Sequence, residues 1–138
     1  MKYWLMKSEP ETWSWNQQVQ SGSKGEGWDG VRNYQASNNM KKMELGDLCF
    51  FYHSVKERDI VGIVKVVKKY HPDPTDKSKR FGMVSVAAVK ALKNKVNLSQ
   101  IKEHPKLNHL ALVKQSRLSV MPIDKKSWTI ICNLGGIK

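Results

Sequence analysis

The sequence predicts a small mixed α+β domain built on a curved sheet or partial barrel, and three observations favour it. A β-branched run over Ile60–Tyr70 is typical of a long strand. Helix-capping residues stand near both ends of the chain, at Ser14 and Asp124. The 138 residues contain no repeat and no linker-like segment, so residues 1–138 are expected to form one domain.

The first third of the chain predicts a strand, a helix, a loop and a second helix. Lys2–Lys7 is rich in aromatic and apolar residues, which indicates the strand. Ser14, followed by Gln17 three positions later, forms a capping-box pattern for a helix that runs to about residue 20. Ser21–Gly27 holds three glycines and predicts a flexible loop. Residues 33–43 can form the second helix, with Met40, Met43 and the Tyr34 ring as its apolar contacts.

The middle third predicts three strands. Leu48–Ser54 carries apolar residues on both faces, which indicates a central strand. Ile60–Tyr70 follows a charged turn, and Gly62 inside it indicates a bulge or a close backbone approach. Phe81–Leu92 is expected to form another strand after a loop rich in proline and aspartate.

The last third is more helical. Pro105 is expected to end one short helix, and a second follows with apolar residues on one face. Asp124 predicts the start of a C-terminal helix and Gly135 its end. The expected elements are helices over Leu98–His104 and residues 106–115, an extended segment over Ser116–Pro122, and a final helix with Trp128, Ile131 and Cys132 in the core.

The formal net charge is +12, a large excess for this length. Such an excess favours an acidic partner, with nucleic acid first and an anionic membrane surface second. A diffuse lysine face is equally often only a solvated surface, and that alternative stays open.

The chain is expected to be intracellular, and cytoplasmic in a bacterium, without a membrane partner, a cofactor or a metal. Its N-terminus lacks the pattern of a signal peptide, and "LCFF" is too short to span a membrane. The four histidines show no metal-ligand spacing. Cys49 and Cys132 are expected to be buried reduced thiols.

Three clusters carry polar and aromatic chemistry: "WDGVRNYQA" at Trp28–Ala36, "YHS" at Tyr52–Ser54 and "SRLSV" at Ser116–Val120. "KSEP" at Lys7–Pro10 is a fourth candidate. Aromatic rings can stack on a base, amide side chains can hydrogen-bond its edge, and arginines can bind phosphate. The clusters therefore indicate a site for a flat polar heterocycle that carries a phosphate.

Structural roles compete with this interpretation. Trp4, Trp13 and Trp15 are better explained as core or helix-docking residues, while Trp28 is balanced between the two roles. His53 on a strand is more often a hydrogen-bonded structural residue than a catalyst. Arg117 could form a plain ion pair, for which the candidate partners are Glu9, Asp29 and Asp47.

No catalytic signature is present. A nucleophile needs an oriented base, and neither a G-x-S-x-G elbow nor a comparable motif supports the serines or Cys49 in that role. The sequence therefore predicts a binding protein without catalytic residues.

Five blocks resemble the EVE-domain family in their order along the chain: "YWLMKSEP", "WDGVRNYQA", "GDLCFFYHS", "IVGIVKVVKKYHPDPT" and "QSRLSVMPI". The resemblance covers nearly the whole chain. It implies a PUA-like fold, a curved β-barrel of about five or six strands flanked by short helices, related to YTH and ASCH domains. It also implies a pocket for a modified base, chiefly a modified cytosine.

Carried onto this sequence, the resemblance assigns a pocket of three parts. Trp28, Arg32, Asn33, Tyr34 and Gln35 would form one wall; Tyr52, His53 and Ser54 would form the floor; Arg117 and Ser119 would close it, with Ser8 and Glu9 nearby. Two departures stand out. Ser37 replaces the usual arginine of the family, and residues 76–82 are short and lysine-rich where relatives carry more aromatic residues.

The expectation is a monomeric, non-catalytic domain that binds a flipped-out, modified base in DNA or RNA. Two alternatives remain. One is an ASCH-like hydrolase of modified nucleosides, with proton transfer by Lys7, Glu9 or His53. The other is an RNA-binding domain without sequence preference, in which the lysines supply the affinity.

Overall fold

The computed structural model describes residues 1–137, which form a six-stranded sheet and five α-helices. The strands are β1 (Tyr3–Ser8), β2 (Glu26–Gly27), β3 (Leu48–His53), β4 (Asp59–Pro72), β5 (Gly82–Asn97) and β6 (Val120–Ile123). The helices are α1 (Trp15–Gln20), α2 (Tyr34–Lys41), α3 (Leu98–Glu103), α4 (Ala111–Lys114) and α5 (Lys125–Leu134). A single 3₁₀ turn spans Gly22–Lys24.

The strand order across the sheet is β2-β5-β4-β3-β1-β6. β1 and β3 run parallel, and all other neighbours are antiparallel. Register shifts along the β4–β5 pair mark the bulges that bend the sheet. The edge strands β2 and β6 do not pair with each other, so the barrel is partial. The predicted α+β, PUA-like class is confirmed.

The core lies where α5 and α2 pack against the sheet. Trp128 stacks on Phe50 and Tyr3, with ring centroids 3.9 Å and 4.6 Å apart. Met40 of α2 is fully buried, as the sequence predicted. Burying one such side chain stabilises the fold by roughly 1.5–3 kcal/mol.

Both predicted helix caps are confirmed. The Ser14 side chain accepts a hydrogen bond from the Gln17 backbone, and the Gln17 side chain returns one to the Ser14 backbone, which completes the capping box. Asp124 caps α5 by accepting from Ser127, and Gly135 follows the last turn of that helix.

The segment predicted as a flexible loop, Ser21–Gly27, is instead pinned to the sheet. Its last two residues form β2, which pairs with β5 at Val86 and Ser85. A Cβ at Gly25 would overlap the Val86 carbonyl, and φ at Gly25 is +75°. The glycines therefore permit close backbone packing.

Two other expectations were wrong. The helix expected over residues 106–115 is only α4, because successive hydrogen-bonded turns follow His104 before it. Tyr34 was expected to pack inward from α2, but 60% of its surface is exposed. It lies in the first turn of α2, where its ring contacts Phe81 on the surface.

Within residues 1–137, no helix has the length and apolar character needed to cross a membrane. Over the same range, no three His, Cys, Asp or Glu side chains are grouped as metal ligands. Cys49 and Cys132 are free and buried, as predicted.

The turn between β4 and β5, which we call the hairpin tip (residues 73–81), is held by Asp76. Its carboxylate accepts hydrogen bonds from the Ser78 hydroxyl and from backbone N–H groups of Ser78, Arg80 and Phe81, at 2.6–3.0 Å. The Ser78 hydrogen bond is the main reason that the pKa of Asp76 falls to about 2. The tip is therefore ordered by an ionised carboxylate.

Gly62→Ala should destabilise the fold by about 1–3 kcal/mol, because a Cβ there would overlap the Trp15 ring. Urea unfolding of both proteins measures the loss. The cost should shrink when Trp15→Leu removes the ring. An equal cost in both backgrounds would contradict a steric cause.

Asp76→Asn should lower the free energy of unfolding above about pH 4. The folded pKa lies below the ordinary value of 3.8, so the carboxylate stabilises the fold above that value and loses the effect as the pH falls toward 2. Urea unfolding of both proteins between pH 6 and 2.5 tests this. A difference that stays constant over the range would contradict the assignment.

Candidate functional site

A cleft of about 540 Å³ lies beyond the end of β1. Three short segments line it: residues 7–9, residues 12–13 and residues 26–30. The first continues from the rigid sheet, and the last includes β2. We call this the tryptophan cleft, because Trp13 and Trp28 both contribute to it. Its volume lies within the usual range for small-ligand sites.

The two indoles are held by different means. The Trp13 Nε1–H donates to Gln18 Oε1 at 2.9 Å, and the fully buried Gln18 in turn donates to the Val86 carbonyl of β5 at 2.9 Å. Trp28 is 7% exposed and meets Phe51 edge-on at 5.4 Å. Trp13 is therefore an oriented, half-buried ring, while Trp28 forms a packed wall.

Charged groups in the cleft are mostly acidic. Glu9, Glu26 and Asp29 line it, against the single cation Lys7. Burial, followed by the neighbouring charges of Asp73 and Glu26, raises the pKa of Asp29. Burial lowers the pKa of Lys7, whose Nζ donates to the Ser116 carbonyl at 2.9 Å. A phosphate would be repelled here, whereas a base with an exocyclic amino group would find acceptors.

The rim of the cleft is fixed by Asp73 of the hairpin tip, which is 3% exposed. Its Oδ2 accepts from the Gly30 backbone at 2.9 Å and pairs with Arg32 at 3.1 Å, while its Oδ1 accepts twice from Thr75. Burial alone would raise the pKa of Asp73, but hydrogen bonds from Thr75, Gly30 and Arg32 outweigh it and lower the pKa. The tip and the cleft wall are thus one connected unit.

Of the predicted site residues, Trp28, Ser8 and Glu9 lie in the cleft. Ser8 is engaged, since its hydroxyl donates to the Trp13 carbonyl at 2.5 Å. The side chain of Asn33 instead caps α2 by accepting from the Ala36 backbone at 2.9 Å. Asn33, Gln35 and Arg117 line a separate pocket of about 300 Å³.

Arg32 and Tyr34 do not line the cleft either. Arg32 serves the Asp73 pair and donates to the Thr75 hydroxyl at 2.9 Å. Tyr34 lies 4.9 Å from Phe81, centroid to centroid. Ser119 is half-buried, and its carbonyl accepts from the Lys7 backbone at 2.8 Å.

The three residues expected to form the floor have structural contacts. Tyr52 is 3% exposed, and burial raises its pKa to about 12. His53 accepts the Trp15 backbone N–H at Nε2 (3.0 Å), so its Nδ1 donates to Glu57 (3.2 Å). Ser54 donates its backbone N–H to Ser8 and lines a small pocket of about 150 Å³ with Glu9. His53 therefore has no free nitrogen for proton transfer.

The structure shows the surroundings of both departures from the family pattern, Ser37 and residues 76–82. Ser37 is 2% exposed and its hydroxyl lies 2.8 Å from that of Tyr70, which also accepts the Gly82 backbone N–H at 2.6 Å. Most of the short lysine-rich stretch, residues 76–81, lies in the hairpin tip. Ser37 therefore links α2 to the end of the β4–β5 hairpin that carries the tip.

Sequence reasoning missed the Trp13 side of the cleft and the acidic residues Glu26 and Asp29. Trp13 was assigned to the core because large aromatics usually pack there. The available signal was position: Trp13 closely follows the "KSEP" cluster at a strand end. Asp47, a candidate partner of Arg117, accepts instead from Lys2, Trp4 and Glu44.

Comparison with known proteins agrees with the fold. The EVE domain family model matches residues 2–134. Chicken thymocyte nuclear protein 1 is 35% identical over 164 aligned positions, covering 96% of this chain and 68% of the relative. The crystal structure of Atu2648 from Agrobacterium tumefaciens is similar with a TM-score of 0.97 and 45% identity, covering 99% of this chain and 94% of that one.

Two further structures bear on the architecture. Human THYN1 in complex with DNA that contains 5-methylcytosine has a TM-score of 0.91 and 30% identity, covering 100% of this chain and 99% of that one. The Mmi1 YTH domain is 16% identical, with a TM-score of 0.60 and coverage of 96% and 86%, and shares the fold alone. With a family match over almost its full length, the chain belongs to the EVE-domain family.

Proposed function

We propose that this chain binds nucleic acid and holds one methylated base, 5-methylcytosine above all, in the tryptophan cleft. The observation that carries the proposal is an aromatic, acidic cleft in the same fold as human THYN1, whose complex contains 5-methylcytosine DNA. The chain would act as one EVE domain over residues 1–138. A single copy suffices, because one chain supplies every cleft residue. A nucleic-acid ligand also implies an intracellular site of action.

The aromatic residues suit the ring and its methyl group. Trp13 is oriented by Gln18 before any ligand arrives, so little ordering cost is expected on binding. Stacking on such a ring contributes roughly 1–3 kcal/mol per base. A methyl group adds apolar area that contacts the indoles, which favours the methylated base over the unmethylated one.

The acidic residues suit the hydrogen-bonding edge. Cytosine and adenine carry an exocyclic amino group, which donates to carboxylates such as those of Glu9, Glu26 and Asp29. Lys7, the one cation that lines the cleft, can donate a hydrogen bond to an acceptor atom of the base ring. Thymine and uracil lack the amino group and would leave the carboxylates without a donor.

A base reaches the cleft only after it leaves the helical stack. Extrusion costs a few kcal/mol, which stacking, hydrogen bonds and phosphate contacts must offset. Asn33, Gln35 and Arg117, in their separate pocket, are proposed to contact nucleotides beside the extruded base. Arg32, Tyr34, Tyr52, His53 and Ser119 would support the site from outside the cleft.

We propose binding without turnover. For the hydrolase alternative, the cleft offers Lys7 and Glu9, and burial lowers the pKa of Lys7. The Ser8 hydroxyl donates to a backbone carbonyl, and His53 lies outside the cleft. Product release from a modified nucleoside that is lost in Lys7→Met would overturn this part of the proposal.

Trp13→Ala should weaken binding to a duplex with one 5-methylcytosine by about 5- to 150-fold, the range that a lost stacking contact of roughly 1–3 kcal/mol predicts. Binding to the unmethylated duplex should change much less. Trp13 is the better target than Trp28, whose burial makes its loss a folding defect. Fluorescence anisotropy with both duplexes, at two salt concentrations, measures the ratio.

Trp13→Phe is the matched control, because it retains an aromatic ring while it loses part of the stacking area and the hydrogen bond to Gln18. It should keep part of the methyl preference. Equal losses on both duplexes with Trp13→Ala would contradict the cleft as the binding site. If wild-type binding shows no methyl preference and a steep salt dependence, the result would favour the alternative of an RNA-binding domain without sequence preference.

A further inference from the structure

The hairpin tip presents three cations next to the tryptophan cleft. Lys77, Lys79 and Arg80 are exposed. The tip begins at Asp73, which accepts a hydrogen bond from Gly30, a residue that lines the cleft. The tip is therefore attached to the wall of the cleft at Gly30, on the side from which a bound polymer could extend.

The positive charge of the tip is not neutralised by ion pairs. Asp73 binds Gly30, Arg32 and Thr75, and Asp76 hydrogen-bonds Ser78 and the backbone inside the tip, so its charge offsets only one of the three cations. Among the ion pairs formed within residues 1–137, none includes Lys77, Lys79 or Arg80. All three are thus free to bind an external anion.

An aromatic pair, the exposed Tyr34 and the half-buried Phe81, borders these cations. Tyr34 lies 4.9 Å from Phe81, the last residue of the tip, and the Arg32 guanidinium lies 5.9 Å from the Phe81 ring. Tyr34 is 60% exposed although it belongs to a packed helix. Aromatic rings set among basic side chains are typical of surfaces that bind nucleotides.

We propose that the hairpin tip and Tyr34 form a second nucleic-acid contact, which binds the phosphates and one neighbouring nucleotide outside the cleft. The cleft itself is acidic, so the phosphates that flank the held base need a separate basic surface. The tip supplies affinity without regard to methylation, and the cleft supplies the preference. This inference rests on the proposed nucleic-acid binding.

The test compares two triple variants of the full chain. One is Lys77→Gln with Lys79→Gln and Arg80→Gln. The control is Lys90→Gln with Lys93→Gln and Lys102→Gln, which removes the same charge from exposed residues in the second half of β5 and on α3. Both bind the methylated and unmethylated duplexes across a salt series, and circular dichroism checks folding.

The tip variant should bind both duplexes at least about tenfold more weakly at 0.1 M salt, with an unchanged preference for the methylated one. The slope of log K against log salt should fall by about 2–3, since each phosphate contact contributes about 0.9. In the control variant, the decrease in this slope should be less than half as large. Tyr34→Ala should weaken binding to both duplexes by the same factor, whereas Tyr34→Phe should bind them as the wild type does.

Equal effects of the tip and control variants would overturn the inference and indicate diffuse attraction by net charge. Loss of methyl preference in the tip variant would also overturn it. A wild-type chain without preference would refute the proposed base recognition alone, because the tip would still be compared with its control. Binding to vesicles of anionic phospholipid that the tip variant loses, with DNA binding unchanged, would show a membrane contact instead.

Discussion

The buried carboxylate of Asp73 is the constraint on which the candidate site depends. It joins the tip of the longest hairpin to the backbone of Gly30 and to Arg32, and thereby fixes the wall that includes Trp28. A buried carboxylate is costly unless its oxygens are fully hydrogen-bonded, and here both oxygens accept two or more hydrogen bonds. Breaking any of these hydrogen bonds would leave a buried, charged oxygen without a donor, which is costly. The cleft wall and the tip are therefore expected to keep one relative arrangement.

The distribution of charge separates two tasks that a base-binding protein must perform. The protein carries +12 overall, yet the tryptophan cleft is lined by three acids and one lysine. A uniformly basic cleft would attract phosphate groups, which would compete with the base for the cleft. An acidic cleft within a basic surface instead draws the polymer from outside and admits the amino edge of a base.

The sequence predicted the framework well because its signals are local. The capping box at Ser14, the cap at Asp124, the three central strands and the bulge at Gly62 all follow from residues adjacent in the chain. The family resemblance extended this to the PUA-like fold. The site was predicted less well, since it depends on long-range contacts: Asp73 reaches Gly30 and Arg32 over more than 40 positions, and Gln18 reaches Val86 over 68. Asn33 stands at the predicted start of α2, where asparagine is a preferred N-cap, so its capping role carried a local signal that the ligand assignment overrode. Nothing in "WDGVRNYQA" indicates that Tyr34 faces solvent.

The proposed function requires that the methylated base itself enter the tryptophan cleft. The most direct measurement is NMR of a duplex whose single 5-methylcytosine carries a ¹³C-labelled methyl group, saturated with this protein. Ring currents of the indoles should shift the methyl resonance upfield, with nuclear Overhauser contacts to Trp13 or Trp28 protons. A methyl resonance that keeps its free-duplex position and contacts no cleft proton, although binding is saturated, would show that the base stays outside the cleft.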